Sequence, residues 1–132
     1  MALSINTAFR NYIMDNGIVG ALGTSAILKV YEGEQPGTAG AATTAALLVE
    51  ITGIAFDAAS DGETYNMETY RGTAGTSGTA GWGRLSGTDG TSYILDGGCG
   101  IGLSEDFIIS TADITEDDVI SLVDITLVQP GS

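Results

Sequence analysis

The hydrophobic residues of this chain change period near Ser25, and that change constrains the fold more than any other feature. Ahead of it apolar residues recur at helical spacing. Behind it they fall in short runs separated by clusters of Gly, Thr, Ser and Asp. A strand exposes successive side chains on opposite faces, so period-two runs broken by turn residues predict an all-β body. The clearest strand is 119–128, in which Val123, Ile125 and Leu127 alternate with Asp124, Thr126 and Val128 before Pro130-Gly131 ends it. Over 45–52, Leu47, Val49 and Ile51 are set against Leu48, Glu50 and Thr52, again predicting one dry face. Further strands are expected at 26–32, 63–70, 79–85, 92–95 and 107–111. Ser86-Gly87-Thr88-Asp89-Gly90 suits a hairpin turn, while 35–44 and 71–78 read as longer surface loops. Together these predict a β-sandwich or jelly roll of about seven to eight strands with one short N-terminal α-helix.

That helix is expected at about 5–15. Ile5, Ala8, Phe9, Tyr12 and Ile13 share one face, Ser4 is a natural N-cap, and Asn16-Gly17 supplies a left-handed stop. So short a helix is marginal alone and must dock its stripe on something. Ile5, Phe9, Arg10, Tyr12 and Ile13 are therefore the candidate interface residues, with Arg10 placed to pair with an acid on a neighbour. The chain divides into 1–24, the helix with a flexible connection, and 25–132, the β body, within a single domain. A length of 132 residues suits one core.

Charge narrows the partners. Seventeen acids face four cations, Arg10, Lys29, Arg71 and Arg84, with no histidine, for a net charge of −13. Phosphate binding needs clustered Lys and Arg, so nucleic acid is not an expected ligand. An acidic balance favours a neutral or basic protein partner. No stretch approaches the roughly 18 apolar residues of a membrane helix, and no basic region precedes an apolar run at the N-terminus, so no membrane association is expected. Cys99 is the only cysteine, so no intrachain disulfide can form. Gly-Thr recurs at uneven intervals, which is turn chemistry and not a solenoid repeat.

Chemistry-bearing motifs are few. Asp113, Glu116, Asp117 and Asp118 form one acidic cluster and Asp57, Asp61 and Glu63 another, and neither has the ligand spacing of a calcium loop. The first reads better as a turn into the last strand with its carboxylates in water. Two carboxylates can act as acid and base in glycoside cleavage, but there is no His to serve as a base and no Gly-x-Ser-x-Gly elbow. Cys99 has no His to activate it and reads as a small residue in a glycine-rich bend. Gly97-Gly98-Cys99-Gly100-Ile101-Gly102 superficially resembles a phosphate loop, yet Leu103, Ser104 and Glu105 follow where a Lys and a helix are needed. Glycine there suits a bulge or a close strand approach. Trp82, on one face with Ala80 and Arg84, is read as a core aromatic; the other reading is a sugar-stacking platform or interface anchor. No catalytic, metal or cofactor residues are assigned.

Three segments carry a resemblance: the opening Met-Ala-Leu-Ser with its amphipathic helix, Leu28-Lys29-Val30-Tyr31-Glu32-Gly33-Glu34-Gln35-Pro36, and Thr79-Ala80-Gly81-Trp82-Gly83-Arg84-Leu85. In this order they resemble a family of small tailed-phage virion proteins, in which an L-K-I-Y-T-G-x-Q-P segment, a G-T-A-x-W-x-R strand and a closing Ser/Thr-rich strand recur. Glu116-Asp117-Asp118 and Cys99 depart from that pattern, which has neutral or small residues there. The resemblance implies a structural protein without enzymatic activity: a capsid decoration or cement protein, made in the host cytoplasm. It would sit on the virion surface, bound as a homo-oligomer to the major capsid protein or other virion proteins. A tail- or fibre-associated module that binds host glycans through exposed Tyr and Trp is the alternative, and a two-carboxylate enzyme acting on polysaccharide is a third.

Overall fold

The computed structural model describes residues 17, 22, 24–37, 40–56, 63–65, 69–87, 94–102 and 105–128. The expected helix at 5–15, with the candidate interface residues Ile5, Phe9, Arg10, Tyr12 and Ile13, lies outside them, as do Asp57, Asp61 and residues 88–90 of the expected hairpin turn. The fold is nearly all β. Its strands are β1 (Ala26–Glu32), β2 (Leu47–Ile54), β3 (Glu63–Tyr65), β4 (Tyr70–Thr73), β5 (Gly78–Ser86), β6 (Leu95–Gly100), β7 (Phe107–Ile109), β8 (Asp113–Ile114) and β9 (Val119–Val128).

One ladder joins them in the order β2-β1-β5-β6-β7-β9-β3, with β4 also on β9 and β8 on the start of β5. β3 and β4 both pair with β9, β3 with its C-terminal end and β4 with its N-terminal end, so the expected 63–70 strand is an interrupted one that continues to Thr73. β6 and β7 are parallel; every other pair is antiparallel. The sheet curls until β4 comes up against β2. Gly75 N–H donates to Leu48 O at 3.0 Å. Ala55 N–H donates to the Tyr70 hydroxyl at 3.1 Å. At Gly72 a Cβ would run into the Glu50 carbonyl, so only glycine permits this approach. The described residues thus form a nearly closed, barrel-like sheet.

The interior holds Leu28, Val30, Ile51, Ile54, Leu85, Phe107, Ile109, Ile120, Leu122 and Ile125, with Cys99 among them. Leu22, in the connection read as flexible, is also buried in this cluster.

Three readings from the sequence need correction. The segment 71–78 is not one loop, because Arg71–Thr73 belong to β4 and Gly78 begins β5, leaving 74–77 as the turn. The Gly97–Gly100 segment is strand, not bend. In β9, Val123 is 52% exposed while Ile120, Leu122 and Ile125 are buried. Ile108 pairs with Asp124 and Ile109 with Leu122, so Val123 is an extra residue, a β-bulge that reverses the inside-outside phase. β2 carries two such shifts against β1, which is how neighbouring Leu48 and Val49 are both buried.

Candidate functional site

The outer face of β1, β5 and β6 carries a second buried cluster, separate from the barrel interior. In β5, Leu85 and Gly83 face inward against Leu28 and Phe107, so Trp82 and Arg84 point outward. Cross-strand register aligns Glu50, Lys29, Arg84 and Asp96 in one row and Tyr31, Trp82 and Gly98 in the next. Such an outward face is ordinarily wet. Here Trp82 is 0% exposed.

Two side chains contact the Trp82 ring. Tyr31 stacks on it with centroids 4.5 Å apart and planes 15° apart. The Arg84 guanidinium lies 5.2 Å from the ring centroid, close enough for a cation–π contact. Trp82 Nε1 has no hydrogen-bond partner among the described residues.

Arg84 in turn grips Asp96 through two hydrogen bonds, Nε to Oδ1 at 2.8 Å and Nη2 to Oδ2 at 3.0 Å. The pair is withdrawn from water, its side chains 11% and 2% exposed. The Asp96 hydrogen bond raises the Arg84 pKa further above its ordinary range, against the opposing effect of burial. The loop between β1 and β2 lies over this pair: Arg84 Nη2 donates to Ala41 O at 2.8 Å and Gly40 N–H donates to Asp96 Oδ2 at 3.2 Å.

Trp82 is therefore buried, as read from the sequence, but on the outside of the sheet and not in the main core. Tyr31 was legible only as part of a motif, and Asp96 was not singled out at all. The signal available for Asp96 was that its segment follows an arginine-bearing strand after an expected turn.

The remaining candidates do other work. Asp118 Oδ2 accepts from Thr115 N–H at 3.1 Å and Asp118 N–H donates to Thr115 O at 2.9 Å, closing the expected turn into β9. Asp117 takes a φ of 74°, which Asp tolerates better than most residues. Glu116 N–H donates to Ser77 Oγ at 2.8 Å, fastening this turn to the 74–77 turn. Along β6, Asp106 Oδ2 accepts from Gly98 N–H at 3.0 Å, so a carboxylate of the chain itself occupies what a phosphate loop would offer to an anion. A Cβ at Gly97 would sit 2.7 Å from Asp106 Oδ2, the close approach expected of these glycines. Cys99 is buried, and burial together with Glu105 pushes its thiol up to about 12. Among the described residues no three His, Cys, Asp or Glu converge as a metal site, and no helix is long and apolar enough to cross a membrane.

No family model, curated protein or solved structure matches the chain.

Proposed function

We propose that this chain is a non-enzymatic virion structural protein, a decoration or cement protein that binds the assembled head shell of a tailed phage and stabilises it. The observation that carries this reading is the pairing of its two motif segments. The 28–36 and 79–85 segments meet as β1 and β5, and Tyr31 of one stacks on Trp82 of the other. Their characteristic residues thus build scaffold.

The same contact weighs against the glycan-binding alternative. A sugar platform needs an open aromatic face, and Trp82 is fully buried, in contact with Tyr31 and Arg84. Val119 and Val123 stand exposed on the outside of β9 and offer apolar contact to a neighbouring subunit. The finer fold class goes with this proposal: the barrel-like sheet is read as a rolled-up relative of the sandwich or jelly roll.

The mechanism is mass action. A ligand that binds only the assembled lattice stabilises it by RT ln(1 + [L]/Kd), about 2.7 kcal/mol per site at a hundredfold excess over Kd. The test is co-sedimentation of the purified protein with empty heads of the parent virion. Saturable binding with a rise in head melting temperature supports cement; failure to bind heads while binding isolated tails or host glycans overturns it.

A further inference from the structure

We propose that residues 40–46 of the β1–β2 loop are a strap held closed by one latch, the Arg84–Asp96 pair, and that opening the latch frees the strap and uncovers Trp82 together. This is independent of the virion reading. Three observations meet here. Each partner of the ion pair also holds the strap, Arg84 through Ala41 O and Asp96 through Gly40 N–H. The strap itself, Gly40-Ala41-Ala42-Thr43-Thr44-Ala45-Ala46, contains no large side chain to bury, and Gly40, Ala42, Thr44 and Ala46 are exposed. Packing contributes little to keeping it down, so the polar latch is its main tie beyond its junction at Glu32 N–H to Ala46 O.

The third observation is the indole. Trp82 Nε1 is buried with no partner among the described residues, and an unsatisfied buried donor opposes the closed state. Arg84 covers one face of that ring. When the guanidinium lets go of Asp96, the ring loses its cover, the strap loses both ties, and water can reach the indole N–H. The interior residues on the other side of β5 are untouched by this movement, which makes the outer layer a cooperative unit of its own.

Hydrogen exchange by mass spectrometry, with acrylamide quenching of the single tryptophan, tests this on the full chain. In Arg84→Met, exchange at 40–46 should rise about tenfold or more and quenching should rise with it, while exchange at 120–125 in β9 stays within about threefold. Unchanged exchange in the strap overturns the proposal, as does an equal rise in β9. Should Arg84→Met fail to fold, Gly40→Ala decides. At a φ of 81° it strains the strap and leaves both latch side chains in place. Faster strap exchange with greater quenching supports the latch, and no change in either overturns it.

Discussion

Tyr31 lies flat on Trp82, ring centroids 4.5 Å apart, on the outer face of a sheet whose interior is packed on the opposite side. The contact joins β1 to β5 directly across the ladder, where Tyr31 and Trp82 are register partners. Trp82→Ala should cost about 3–5 kcal/mol in urea unfolding. The double-mutant cycle with Tyr31→Ala should show a coupling of about 0.5–1.5 kcal/mol. Additive losses would mean that the stack contributes only by burial.

Closure of the barrel rests on β4 passing close over β2. Gly72→Ala should destabilise by about 1–3 kcal/mol, because its methyl meets the Glu50 carbonyl and backbone cannot yield as a side chain can. Gly75, with open space where a Cβ would go, is the control; Gly75→Ala should fall within about 0.5 kcal/mol of the parent. Equal effects at the two positions would show that β4 does not lie where the closed sheet puts it.

The bulge in β9 predicts a sharp contrast between neighbours. Leu122→Ala and Ile125→Ala should each cost about 2–5 kcal/mol, whereas exposed Val123→Thr should stay within about 0.5 kcal/mol. A costly Val123→Thr would restore the unbroken alternation read from the sequence.

The extents of β1 and β9 were legible because apolar and β-branched residues run the whole length of each and turn residues bound them. The facing of β9 was not, since a bulge depends on its partner strand and leaves no mark in one segment's own pattern. Arg71-Gly72-Thr73 reads as loop because it holds no apolar side chain; its place in the sheet comes from β9 on one side and the close passage over β2 on the other. Arg84 could be placed beside Trp82 by alternation. Its bond to Asp96 needed the β5–β6 register, which composition does not reveal.

Cys99 should be inert in the native state. The residue is 2% exposed and its thiol pKa is raised to about 12, so a disulfide reagent at pH 8 should react only as the protein unfolds. The raised value also sets a pH dependence. The unfolded thiol ionises near 9.0 and the folded one near 12, so its contribution is complete below about 9 and declines as the pH rises toward 12. Cys99→Ala should lose less stability than the parent across that window. Parallel curves, or rapid native-state labelling, would contradict the burial of this residue.

The most direct measurement of the proposed role is imaging of purified virions in which this chain is labelled. Regular labelling over the whole head, following the symmetry of the shell, is the result expected of a decoration or cement protein. Label confined to one vertex or to the tail would contradict it.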